Sequence, residues 1–112
     1  MDHNPPLTPT TFHILLALAD QDRHGYAIMQ QVAAETDGQI RLGPGTLYGA
    51  IKKLQMDGLI EEIDERPDPS LDDARRRYYR LTKRGARACG AEAERLAALV
   101  KLARRKKMLS PA

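Results

Sequence analysis

At 112 residues the chain is the size of one domain, enough for a modest core and too short for two. Hydrophobic residues make up 42% of it with no apolar run of membrane length, and the opening Met-Asp-His-Asn-Pro-Pro lacks a charged-then-apolar leader, so a cytoplasmic, non-membrane protein is expected. A formal charge of +3 admits nucleic acid as a partner, and one cysteine excludes an internal disulfide framework or a multi-cysteine metal site.

Residues 1–7 read as a flexible arm. Thr8 followed by Pro9 is an N-cap with proline at the first helical position, and Phe12, Leu15, Leu16, Leu18 and Ala19 continue as an apolar stripe to about Asp20. Gln21-Asp22-Arg23 reads as a turn. A second helix, opened by His24-Gly25, spans about 25–36, with Tyr26, Ile28, Met29, Val32 and Ala33 at helical spacing. Asp37-Gly38 ends it, and Ile40-Arg41-Leu42 reads as a short extended piece. The third helix covers about 45–57. Leu47, Ile51 and Leu54 share its inner face, and Gly58 supplies a left-handed stop. A strand over 59–65, a loop over 66–74 and a return strand over 75–81 follow, with Tyr79 and Leu81 inward by alternation and Tyr78 and Arg80 outward. Thr82 then caps a long helix to about Met108, some 40 Å at 1.5 Å per residue.

Charge is sorted along this plan. From Asp57 to Asp73 there are eight acids and one base, Arg66; from Arg75 to Arg87 there are seven bases and no acid. A last basic cluster is Arg104-Arg105-Lys106-Lys107. Such local patches suit phosphate contacts. The third helix presents Thr46, Tyr48, Gly49, Lys52 and Lys53 outward, behind the small-residue entry Gly43-Pro44-Gly45. A polar, cationic face of this kind is suited to the major groove of DNA. No nucleophile–base arrangement and no phosphate-cradling glycine loop is present. His3, His13 and His24 have no carboxylate or cysteine at ligand spacing. No catalytic residue, metal or cofactor is therefore expected.

Three helices followed by a β-hairpin form the winged helix-turn-helix plan, mainly α with a small hairpin. Residues 8–82 would form that DNA-binding unit and 83–108 a C-terminal dimerisation helix. His24-Gly25-Tyr26-Ala27-Ile28, Gly45-Thr46-Leu47-Tyr48, Lys53-Leu54 before Gly58-Leu59-Ile60, and Arg77-Tyr78-Tyr79-Arg80-Leu81-Thr82-Lys83-Arg84-Gly85 together resemble the PadR family of bacterial transcriptional regulators, in its short form. The resemblance covers about residues 8–103. Gly49 stands where that family often has proline, and Lys53 where arginine is common. It implies a regulator of transcription, a repressor relieved by a small molecule, with double-stranded DNA and a second copy of itself as partners. In short members the effector can be a flat hydrophobic compound held between C-terminal helices; this chain has no tryptophan to stack on it.

The residues expected to meet DNA are Tyr26, Pro44, Gly45, Thr46, Tyr48, Gly49, Lys52, Lys53, Arg75, Arg76 and Arg77. Alternatives stay open for several of them. Thr46 can be a plain helix cap and Tyr26 a core residue. The three arginines can be absorbed by Asp72, Asp73 and the acids of the opposite strand. On the last helix Cys89, Ala93, Leu96, Leu99, Val100 and Ala103 form a stripe too broad for one subunit to cover, with Phe12, Leu15 and Leu16 contributing from the first helix; a homodimer is the expected result. The competing reading is a winged-helix protein-interaction module whose acidic wing binds a basic partner.

Overall fold

Side-chain caps decide where most of the helices begin. The structure is a computed structural model describing residues 5–63 and 77–110. Helix α1 (Pro9–Ala19) starts where the Thr8 hydroxyl accepts the Thr11 N–H at 3.1 Å. A two-residue strand β1 (Arg23–His24) leads into α2 (Gly25–Glu35), and the His24 ring caps α2 by accepting the Ala27 N–H at its Nδ1. Helix α3 (Pro44–Met56) follows, then strands β2 (Ile60–Ile63) and β3 (Tyr78–Leu81), and α4 (Lys83–Arg105). The Thr82 hydroxyl accepts the Gly85 N–H at 3.0 Å and donates to the Gly58 carbonyl at 2.6 Å, so one side chain starts α4 and ties it to the end of α3.

The sheet has the order β1-β3-β2, all antiparallel, with Ile60 opposite Leu81 and Arg23 opposite Tyr79. Its third strand lies at Arg23–His24, where the sequence suggested a turn. The extended piece expected at Ile40-Arg41-Leu42 forms no strand. Ile40 and Leu42 pack half-buried against the core instead. The expected hairpin forms within the described residues with shorter strands, Leu59 and Arg77 lying outside the strands; Tyr79 is buried and Arg80 exposed as expected, whereas Tyr78, expected outward, is half-buried like Leu81. The strand ends expected at 64–65 and 75–76 and the loop expected over 66–74 lie outside the described residues.

The core joins α1, α2, α3, β2 and the first turns of α4. Ile14, Leu15, Ile28, Val32, Leu47, Ile51 and Ile60 are its largest fully buried side chains. Ala88 and Cys89 also belong to it, so the packing unit extends past residue 82 into α4. Helix α3 ends where Gly58 turns left-handed, φ +75°, as the sequence suggested. Helix α4 closes three residues earlier than Met108, with Lys107 at φ +63° and the Met108 N–H returning to the Ala103 carbonyl. That pattern is a Schellman stop. Among the described residues no helix is long and apolar enough to cross a membrane.

Glu92 is the one buried charged residue among them. Its carboxylate accepts the Leu7 backbone N–H at 3.0 Å and pairs with both Nε and a terminal nitrogen of Arg95. The segment before α1 is thereby fastened to α4, and Leu7 is packed on the core; the flexible arm expected through residue 7 does not extend to its last residue. The Arg95 hydrogen bonds, then the Leu7 N–H, hold the Glu92 carboxyl below the usual carboxylate range, against the opposing effect of burial. A depressed carboxyl stabilises the fold above the unfolded value near 4.5 and loses that contribution as pH falls through its lowered folded value. Melting curves from pH 7 to pH 3 should therefore show a steeper loss for the wild type than for Glu92→Gln, with the variant less stable at pH 7. Parallel pH profiles would contradict the clasp.

Candidate nucleic-acid interface

Helix α3 has two unlike faces. Leu47, Ile51 and Leu54 are buried, and this fixes the rotation of the helix about its axis. Thr46, Tyr48, Gly49, Lys52 and Lys53 are consequently left on the exposed side, together with Pro44 and Gly45 at the start. Among the described residues neither lysine has an ion-pair partner. An added Cβ at Gly43, Gly45 or Gly49 would meet nothing within 4 Å. Among the described residues no neighbour accounts for small residues there, and the backbone has room for an external partner.

The start of α3 differs from those of the other helices. Its N-cap is Gly43, with no side-chain cap hydrogen bond, whereas Thr8, His24 and Thr82 cap α1, α2 and α4. Thr46 lies inside the first turn and is therefore not the cap. The Leu47 N–H reaches the Gly43 carbonyl at 2.9 Å, and Pro44 has no N–H. Gly45 and Thr46 are thus left with first-turn donors that no side-chain cap satisfies, at the positive end of the helix dipole. Such a terminus is suited to a phosphate or a base-edge acceptor. The sequence carries a signal for it: Gly-Pro-Gly where a Ser, Thr, Asp or Asn would normally stand.

Tyr48 reaches across to α2. A Cβ placed on Gly25 would lie 2.4 Å from the Tyr48 hydroxyl and 2.8 Å from the ring carbon bearing it. Only glycine lets the ring lie over the first turn of α2. Tyr26, the next residue, is 54% exposed and Tyr48 is 49% exposed, so both stand at the surface beside the start of α2. Tyr26 is accordingly not a core residue.

On the wing, Arg77 pairs with Glu62 at 3.4 Å, with side-chain exposures of 70% and 36%. Pairing of this sort holds an arginine by about 0–1 kcal/mol, too little to withhold it from a phosphate. Arg75 and Arg76 lie outside the described residues. Beneath the wing, burial and then the charge of Glu62 raise the Tyr79 phenol above its ordinary value. Arg80 pairs with Asp22 at 3.0 Å and ties β3 to the residue before β1.

The structure divides the expected dimer stripe. Leu15 and Cys89 are buried in the subunit's own core and have no surface to give a partner; burial also pushes the Cys89 thiol up. Phe12 and Leu16 are half-buried. Leu96, Leu99 and Val100 are 36–48% exposed, Ala93 is exposed and Ala103 intermediate. Among the described residues no group of His, Cys, Asp and Glu could hold a metal ion.

The chain matches the model of the transcriptional regulator PadR-like family over residues 14–91. It is 38% identical over 76 residues to the transcriptional regulator Rv3488 of Mycobacterium tuberculosis, spanning 68% of this chain and 64% of that protein. It is also 38% identical over 86 residues to an uncharacterised 37.1 kDa protein of transposon Tn4556 in Streptomyces fradiae, spanning 77% of this chain but 22% of that one. The chain thus spans less than two thirds of either relative's length. Its fold is similar to the crystal structure of a PadR family transcription regulator from Clostridium difficile R20291, with a TM-score of 0.69 and 25% identity over 85% of this chain and 94% of that one.

Gly25→Ala tests the joined surface of α2 and α3. The added methyl displaces the far end of the Tyr48 side chain, while alanine at the first helical position costs the helix nothing and favours it by up to about 1 kcal/mol. The variant should melt near the wild type yet bind DNA about three- to tenfold more weakly, as for loss of one ordinary hydrogen bond. Unchanged affinity would remove Tyr48 from the interface.

Proposed function

The chain belongs to the PadR-like family of transcriptional regulators, and from that premise we propose that it is a ligand-responsive repressor that binds a palindromic operator as a homodimer. It is a DNA-binding regulator and not an enzyme. The observation that carries the groove assignment is the asymmetry of α3. One face is locked into the core, and the other offers an N-terminus without a side-chain cap, open glycines and two lysines that have no ion-pair partner among the described residues. In this reading α3 enters the major groove. The first turn of α2, with Tyr26, meets the flanking phosphates, and the wing, with Arg77, lies along the adjacent backbone. Arg75 and Arg76 are assigned to the same backbone from their place in the basic run.

Support for the dimer comes from the far half of α4. Beyond Glu92, residues 93–105 extend about 20 Å and bury no side chain on their own subunit. Leu96, Leu99, Val100 and Leu102 stand on that exposed stretch, with Ala93 and Ala103 small enough to let two helices approach. Phe12 and Leu16 of α1 complete the surface. Covering Leu96 contributes roughly 1.5–3 kcal/mol per subunit. A two-fold pair would set the α3 helices about 34 Å apart, one turn of DNA. An effector seated between the α4 helices would meet leucine, valine and alanine side chains, a lining for a hydrophobic molecule.

The exposed Glu61 and Glu62 on β2 favour a second reading, a protein-interaction module for a basic partner. A gel shift with the region upstream of the protein's own gene separates the two. Lys52→Ala with Lys53→Ala should weaken the shift and lower the salt slope by about one per phosphate contact, with unchanged melting; equal affinity and slope would exclude α3 as the reading helix. Light scattering should give a dimer for the wild type and a monomer for Leu96→Glu with Val100→Glu. A double variant that stays dimeric and binds DNA normally would exclude α4 as the interface.

A further inference from the structure

We propose that His24 is a positioning residue for DNA binding: one imidazole sets the wing against the start of the helix-turn-helix, so it governs whether wing and groove contacts form together. The inference rests on the DNA-binding reading and adds a residue to which that reading gives no part.

Two contacts of the ring are of different kinds. Its Nδ1 accepts the Ala27 N–H at 3.1 Å and caps α2. The ring also stands perpendicular to that of Tyr78 on β3, with centroids 5.3 Å apart and planes at 84°. The backbone repeats the connection, because His24 lies opposite Tyr78 in the β1–β3 pairing. A cap alone calls for none of this. Asparagine, aspartate or serine caps a helix at least as well and is smaller, whereas histidine adds an aromatic ring that can meet another in an edge-to-face arrangement.

The surrounding residues show why this joint matters. Strand β1 is only two residues long, and such a strand pairs weakly alone. It is anchored on each side. Arg23 donates from Nε to the Ala17 carbonyl of α1 at 2.6 Å, and Asp22 pairs with Arg80 of β3 at 3.0 Å. After His24 comes Gly25, beneath the Tyr48 ring of α3. Residues 22–25 are thus where α1, α2, α3 and the wing meet. The cap and the Tyr78 contact are the two side-chain links in that meeting that come from a single group, so the angle between the wing and the start of α2 follows the orientation of this ring.

Two substitutions separate the links. His24→Asn keeps a cap acceptor and removes the ring; Tyr78→Leu keeps the cap and removes the partner. With the intact chain, binding to a labelled duplex from the region upstream of its own gene is measured over a salt series beside melting curves. Both variants should melt within a few degrees of the wild type, bind about tenfold more weakly, and show a salt slope shallower by about one or two, as phosphate contacts of the wing are lost. The double variant should be no worse than either single one, because both remove the same contact. Wild-type affinity and slope in either folded variant would overturn the inference and leave His24 a plain cap. If His24→Asn does not fold, Tyr78→Leu decides alone. A wild type that binds no duplex would instead overturn the DNA-binding reading, and this inference with it.

Discussion

Burial of Leu47, Ile51 and Leu54 is the constraint from which the rest of the molecule follows. These three side chains lock α3 at one rotation against a core that α1 and α2 supply through Ile14, Leu15, Ile28 and Val32. A helix held this firmly cannot choose which residues it shows. Tyr48, Gly49, Lys52 and Lys53 are outward because their neighbours in the helical repeat are inward. The stabilising face and the face proposed for recognition therefore lie on opposite sides of the same thirteen residues, and in that reading an apolar change on the inner face would disturb binding without touching a ligand.

The wing is placed by a different mechanism. Between β2 and β3 the hairpin pairing is local, and it only orients the two strands to each other. The hairpin is fixed to the helices by burial of Ile60 and Tyr79 in the core and by β1 with its anchors, namely Arg23 on the Ala17 carbonyl, Asp22 on Arg80 and His24 on Tyr78. Near the middle of α4, Glu92 performs a comparable task for the segment before α1, through Leu7 and Arg95. Polar side chains thus tie down the outlying segments, while apolar ones assemble the centre. Each such tie is partly exposed, and its net contribution is small; its importance lies in direction.

Much of this was legible in the sequence, for identifiable reasons. Hydroxyl residues before helical runs marked Thr8 and Thr82 as caps, and the spacing of Leu47, Ile51 and Leu54 fixed the inner face of α3 together with its outward residues. The misses have equally physical causes. Strand β1 has two residues and pairs with a segment far along the chain, so it leaves no alternating pattern to detect. Ile40 and Leu42 alternate like a strand because both pack on the core, yet no neighbouring strand takes up their backbone. Periodicity put Leu15 and Cys89 on apolar faces without telling whether the covering surface belongs to the same subunit, and here it does. Glu92 was readable: with Gly85, Ala88 and Cys89 it follows the buried repeat of α4, a position where an acid calls for a partner.

The central claim is that the bare face of α3, opened by its uncapped first turn, is the surface that meets DNA. The most direct measurement is a titration of the isotope-labelled protein with a duplex from the region upstream of its own gene, followed by amide resonances. The account predicts that the largest shifts fall on Gly45, Thr46 and Gly49, with smaller ones at Tyr26 and Arg77, while Leu47 and Ile51 keep their environments apart from the general effect of complex size. Shifts concentrated on the basic end of α4, with Gly45 and Thr46 unmoved, would contradict it.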